Sequence, residues 1–308
     1  MNWPLDPSIA WVFPGQGSQE LGMGLELYQR SETARLIFQE ADRLLGFPLS
    51  ELCFQGPEDK LRQTGNAQPA IFITSLASLA AAVEEERLKA KPAFVAGHSL
   101  GEYSALVAAA ALSFENGLKL VQARGRLMQQ AGESQPGTMA AVLRLSAEQI
   151  EELCRESGAE VCNYNSPQQT VIGGTMAAVE KAAQLVAEAG GKAVPLNVSG
   201  AFHTSLMASA AGEFAVLVEQ GEISKPGLPV IANSTAELLE SEADVQEELK
   251  RQLLSPVLWQ QTVEKVAAGG VTSIMEIGPG QVLSGLAKRI VPSIAAFNIS
   301  ELAVADSN

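Results

Sequence analysis

"FVAGHSLGEYSALVAAAAL", Phe94 to Leu112, decides the fold. A short β-branched and apolar run meets Gly97-His98-Ser99-Leu100-Gly101 and passes at once into an alanine-rich segment. The run predicts a buried strand, the alanines predict a closely packed helix, and the glycines predict a corner too tight for side chains on either side of Ser99. A Gly-x-Ser-x-Gly string between a strand and a helix has the geometry of a nucleophile elbow. There the serine oxygen is exposed and the helix amides and dipole point at a developing oxyanion.

Outward from this corner, strands alternate with helices. Ile9–Phe13 reads as a strand running into the glycine-rich "PGQGSQ", and Ala93–Ala96 as the strand before the elbow. Helical patterns are expected at about Gln19–Arg30, Glu32–Leu45, a long buried stretch after Pro69, and Phe114–Ala131. From about Gln135 to Val198 the texture changes to strand, helix, strand, strand, helix, strand. That order is the ferredoxin-like signature. Beyond it come a strand near Pro229–Ala232, helices at Ser241–Leu254 and Val257–Ala268, a strand Thr272–Ile277, a turn and helix in "GPGQVLSGLAKRI", and a last strand in "SIAAFNIS". The fold class expected is therefore α/β: a large α/β-hydrolase-like domain with a mostly parallel sheet, formed by residues 1–134 and 199–308, carrying an inserted ferredoxin-like subdomain at 135–198.

The composition sets limits. The 308 residues carry a formal net charge of −14, which argues against nucleic acid and anionic membranes as partners. An acidic partner would need a local basic surface. Cys53, Cys154 and Cys162 lack metal-ligand spacing, and an odd number suits free thiols in a reducing compartment. The N-terminus has neither a signal-peptide nor a transit-peptide pattern, and the longest unbroken apolar run, Ala105–Leu112, is too short to span a bilayer. A cytoplasmic monomer without metal or bound cofactor is expected.

A serine hydroxyl needs a base, and the chain holds only two histidines, His98 and His203. His98 adjoins the serine, and neighbours around a tight turn point apart. His203, in "NVSGAFHTSLM", is therefore the better base and His98 a supporting residue. No acidic residue stands near His203 to complete a triad, so its orienting partner is a backbone carbonyl or an amide side chain. Amides around Gln16 could pair with the Leu100 amide to hold an oxyanion. Arg124, by residue type and helical context alone, reads as an exposed charge.

"VFPGQGSQ", "QPAIF", "GHSLGEYSALVAA", "RGRLMQ", "NYNSP", "SGAFHTSLM" and "GPGQVLSGL", in this order across nearly the whole chain, resemble the malonyl-CoA:acyl-carrier-protein transacylase family. The resemblance implies Ser99 as the acylated nucleophile and His203 as its base. It implies Gln252, in "KRQLLSPV", as the residue whose backbone carbonyl orients the histidine. Gln16 and Leu100 match the oxyanion-hole amides and Arg124 the anchor of the malonyl carboxylate. Gln68, Asn163, Asn165, His98 and Phe202 match positions around the substrate. Malonyl-CoA and the phosphopantetheine thiol of acyl-carrier protein are the substrates it implies. A serine hydrolase on the same elbow and a malonyl-loading acyltransferase of a polyketide pathway are the alternatives, although Ala201-Phe202-His203 resembles the malonyl-selecting version of the latter.

Overall fold

The computed structural model describes residues 3–302. Two four-stranded sheets organise it. The first is all parallel, in the order β2-β1-β7-β8, from β1 (Leu5–Phe13), β2 (Lys91–Gly97), β7 (Ser273–Glu276) and β8 (Ala295–Asn298). The second is antiparallel, in the order β4-β5-β3-β6, from β3 (Gly137–Leu143), β4 (Glu160–Ser166), β5 (Gln169–Thr175) and β6 (Lys192–Pro195). With helices Ala147–Ser157 and Met176–Glu188 between its strands, the second sheet has the ferredoxin-like arrangement expected.

The two-residue period of a strand assigns each face. On β1, Trp11 and Phe13 join the core that packs under helix Thr64–Glu84, whereas Ala10 and Val12 join a smaller core with Trp259, Val263, Leu283 and Leu286. The parallel sheet is thus covered on both sides, as its continuous apolar strands require. On β3, Ala140 and Val142 face the two helices of the antiparallel unit, while Met139 and Ala141 face the main core. The antiparallel unit is stitched to the larger one by more than its two chain connections. The Tyr164 amide donates to the Val257 carbonyl (2.9 Å), and the Val257 amide to the Cys162 carbonyl (2.9 Å).

Several expected elements shift. The helix expected from Gln19 begins only at Leu25, because Gly22 and Gly24 take positive φ (89° and 80°) and break the turn. The long buried helix starts at Thr64, ahead of Pro69, which lies inside it. By length and hydropathy this helix would suffice to cross a bilayer, yet most of it is packed inside the protein. The strand expected at Pro229–Ala232 is reduced to single bridges, Val230 with Val95 and Ile231 with Leu238, where the chain turns back on itself. The helix expected from Val257 starts at Trp259, and three helices were not anticipated: Leu49–Gln55, Glu58–Leu61 and Ala208–Gln220. The three cysteines are free and buried, and burial pushes each thiol upward, away from reactivity.

The elbow depends on glycine at two points. A Cβ on Gly97 would lie 1.9 Å from the Gly101 carbonyl carbon, and one on Gly101 would lie 2.0 Å from the Phe13 carbonyl oxygen. Both obstacles are backbone and cannot rotate aside. Gly101→Ala is expected to destabilise the protein by about 1–3 kcal/mol or more and to displace Ser99. A lowered thermal midpoint together with lost serine reactivity checks it; an unchanged midpoint would show that the β1–helix approach is looser than described.

Candidate active site

Three strand ends converge on one place, as carboxyl ends of parallel strands do. β1 leads into Pro14–Gln19, β2 into the elbow, and β7 into Gly278-Pro279-Gly280. Between the first two of these and the antiparallel sheet lies a cavity of about 410 Å³. Ser99, His203, Arg124, Gln16, His98 and Phe202 line it from the larger unit, and Met139, Ala141, Asn163, Asn165 and Val171 from the antiparallel sheet.

Ser99 sits at φ 51°, a left-handed value that a non-glycine residue adopts only under constraint. The constraint is visible: its amide donates to Asn233 Oδ1 (2.7 Å), and its carbonyl accepts from Gln252 Nε2 (3.0 Å). Its Oγ lies 2.8 Å from His203 Nε2 and accepts from Arg124 Nη2 at 3.0 Å. His203 Nδ1 faces two backbone carbonyls, Gln252 (2.9 Å) and Ser255 (3.1 Å). These partners settle the proton positions. Carbonyls only accept, so Nδ1 carries the hydrogen and Nε2 is bare. Arg124 only donates, so the serine hydrogen is left to point at Nε2. The pair is set for the serine to lose its proton to the imidazole.

Burial, and then the Arg124 charge, push His203 down to about 3. The imidazole therefore stays neutral and able to act as a base throughout pH 5–8. Acylation kcat/KM is expected to show no acidic limb with a midpoint near the ordinary histidine value of about 6.5, and Arg124→Gln should move the limb upward. A wild-type limb near 6.5 would contradict the burial argument. The same depression has a stability consequence: the unfolded chain takes up a proton that the fold refuses, so this histidine costs stability as pH falls from about 6.5 towards 3.

Arg124 is 1% exposed, not the surface charge that residue type alone suggests. Nη1 donates to Gln68 Oε1 (2.7 Å) and Nη2 to Gln252 Oε1 (3.0 Å) as well as to Ser99, and Cζ lies 5.4 Å from the Tyr103 ring centroid. All three acceptors are neutral, and burial pulls the guanidinium below its usual pKa. Nε has no hydrogen-bond partner among the described residues. A buried cation held this way is receptive to an anion.

The remaining expected residues fall into two groups. Asn163, Phe202 and Gln16 line the cavity. Gln16 Nε2 is tied to Thr64 Oγ1 (3.1 Å), and Thr64 Oγ1 pairs with Ser199 Oγ (2.8 Å), which fixes the loop. Among the described residues neither the Gln16 nor the Leu100 amide has a hydrogen-bond partner; Gln16 lines the cavity, and Leu100 is buried next to Ser99. Gln68 and the Gln252 side chain stand behind Arg124 instead. His98 Nε2 pairs with Asn165 Oδ1 (2.8 Å), bracing the elbow against the antiparallel sheet. Three residues at the site were not anticipated: Asn233, Ser255 and Glu102. Glu102 is fully buried, and burial with the charge of Glu248 pushes its carboxyl well above the usual range.

Comparison with known proteins finds relatives along nearly the whole chain. The family described as acyl transferase domain matches residues 10–305. The chain is 44% identical over 302 residues to the malonyl CoA-acyl carrier protein transacylase of Bacillus subtilis strain 168, covering 95% of this chain and 93% of that one. Identity to the enzyme of the same description from Haemophilus influenzae is 44% over 300 residues, with 96% of each chain covered. Among solved structures, an acyl carrier protein S-malonyltransferase from Vibrio cholerae superposes with a TM-score of 0.91 at 41% identity, covering 94% of this chain and 96% of that one. A malonyl-transacylase in complex with a type II polyketide acyl-carrier protein superposes equally well, with a TM-score of 0.91 at 41% identity, covering 94% and 95%.

Proposed function

This chain belongs to the acyl transferase domain family and, within it, to the malonyl CoA-acyl carrier protein transacylases, and from that premise we propose that Ser99, His203 and Arg124 are the residues with which it moves malonyl groups. The enzyme transfers malonyl from malonyl-CoA to the phosphopantetheine thiol of acyl-carrier protein. Its place is the supply of malonyl units to fatty acid synthesis.

The transfer runs in two halves. Ser99 Oγ attacks the thioester carbonyl of malonyl-CoA as its proton passes to His203 Nε2. The oxyanion is held by the amides of Gln16 and Leu100. The C–S bond then breaks, His203 returns its proton to the departing CoA sulfur, and malonyl remains on Ser99 as an ester. In the second half the carrier thiol gives its proton to His203 and attacks the ester carbonyl. The Ser99 oxygen leaves and recovers the proton. A thioester is already activated, so the chemistry calls on no metal or bound cofactor; CoA and the carrier arm are substrates.

The observation that carries this reading is the shared serine oxygen, 2.8 Å from His203 Nε2 and 3.0 Å from Arg124 Nη2 at the wall of the cavity. Ser99 and the carboxylate-binding cation are thus neighbours, as acylation by a short dicarboxylic thioester requires. We read residues 135–198 as a unit inserted into the catalytic unit of 1–134 and 199–308, each supplying one wall of the cavity, and the whole as a cytoplasmic monomer.

Intact-protein mass spectrometry after malonyl-CoA tests the proposal. One malonyl adduct is expected on Ser99, stable in buffer and discharged by acyl-carrier protein. Rapid loss to water without the carrier would indicate a hydrolase, and no adduct would remove Ser99 from the reaction.

A further inference from the structure

The Gln252 side chain can face its neighbours in one way only. Arg124 Nη2 is a donor, so the amide oxygen meets it at 3.0 Å. The Ser99 carbonyl and the Glu102 carboxyl offer oxygen, so the amide nitrogen meets them. Glu102, fully buried one turn beyond the serine, accepts at both ends: Oε1 from the Asn233 backbone amide (2.9 Å) and Oε2 from Gln252 Nε2. Asn233 in turn spans the Ser99 amide (2.7 Å) and the Gly97 carbonyl (2.7 Å). One carboxyl group therefore holds both residues that grip the Ser99 peptide.

Burial and Glu248 oppose ionisation of this carboxyl and its two N–H donors favour it; in either case both of its oxygens are taken up as acceptors. An amide of the same shape has a single acceptor oxygen and must turn its own N–H groups on one of the donors. The other end of the relay is Arg124, whose hydrogen bonds all go to neutral acceptors. Guanidinium N–H meets amide oxygen, and amide N–H meets carboxyl oxygen, so Gln252 connects the buried cation to the Glu102 carboxyl.

We infer that Glu102 is a positioning residue for malonyl selection: its carboxyl group, accepting at both oxygens, orients the Gln252 amide with the oxygen towards Arg124, and so keeps the guanidinium aimed at the serine. This rests on the reading of Arg124 as the anchor of the malonyl carboxylate. Without the double acceptor, Gln252 turns its nitrogen towards Arg124, two donors face each other, and the guanidinium is pushed aside. An acetyl group carries no carboxylate and is insensitive to that displacement.

The test is the ratio of kcat/KM for malonyl-CoA to that for acetyl-CoA in Glu102→Gln, with circular dichroism and thermal unfolding confirming the fold. The ratio is expected to fall about tenfold, which is about 1.4 kcal/mol, mostly through the KM of malonyl-CoA. In a Gln252→Leu background, which keeps the backbone carbonyl under His203, adding Glu102→Gln should change the ratio less than about twofold, because the relay is already cut. If Glu102→Gln fails to fold, Gln252→Leu alone carries the test and should lower the ratio by the same factor; an unchanged ratio there overturns the inference. Equal losses for both thioesters in folded Glu102→Gln also overturn it. Arg124→Ala separates the two levels. A collapsed ratio in Arg124→Ala with an intact one in Glu102→Gln sinks only the Glu102 inference, while parallel losses in Arg124→Ala sink the reading of Arg124 itself.

Discussion

Ser99→Ala is expected to yield no malonyl-enzyme by intact mass and to lower transfer by about 10⁶-fold, the scale reached when a serine nucleophile is removed. His203→Ala should still acylate, 10²–10⁴-fold more slowly, which is the usual contribution of a positioned base. The difference follows from geometry. In the proposed reaction the hydroxyl in contact with His203 Nε2 forms the new bond, whereas the elbow and the amides of Gln16 and Leu100, unpaired among the described residues, survive loss of the imidazole. His98 serves as the internal control. Its ring is committed to Asn165, so His98→Ala should loosen the elbow without removing the base. Near wild-type transfer by His203→Ala alongside a dead His98→Ala would reverse the assignment.

Arg124→Ala is expected to lower the preference for malonyl-CoA over acetyl-CoA by about 10²–10³-fold. Hydrogen bonds to charged groups contribute roughly 1.5–3 kcal/mol each, and a guanidinium fork can supply two to a carboxylate. The net gain is smaller than their sum, because Arg124 already bonds Ser99 Oγ, Gln68 and Gln252 and must give up at least the first. Those bonds are to neutral groups, so exchange for a carboxylate is favourable, whereas acetyl offers nothing in return. Arg124→Lys should restore only part of the preference, since a point charge cannot span the same acceptors. The ratio of kcat/KM for the two thioesters in each variant decides. Parallel loss would make Arg124 a support for the fold, a plausible role for a side chain 1% exposed on helix Phe114–Ser134.

The elbow was legible because its requirement is steric and local: Gly97 and Gly101 are glycine since backbone occupies the space of a Cβ. The antiparallel unit was legible because alternation and helical period succeed each other without interruption from Gly137 to Pro195. Helix Ala208–Gln220 was not, as Gly212 and the small residues around it blur its period. Nor was the loop at Gly22 and Gly24, whose flanking residues carry a helical pattern that two left-handed glycines cut. At the site, His203 could be reached by counting histidines, but the burial of Arg124 could not. A charge on a helix faces water unless something distant receives it, and its acceptors Gln68 and Gln252 lie 56 and 128 residues away in sequence. Asn233 and Glu102 were missed for the same reason. Nothing near Asn233 marks it as the partner of a peptide 134 residues earlier.

The seam at Val257 has a mechanical consequence. A layer joined to its neighbour only by two adjacent chain crossings could swing like a door, widening the acyl chamber at each turnover. Paired backbone bonds from Cys162 and Tyr164 to Val257 add a latch on the far strand, with His98 and Asn165 as a second catch beside the elbow. The two walls of the acyl chamber are thereby tied together at both ends, so the serine and the antiparallel residues that face it are held at one spacing.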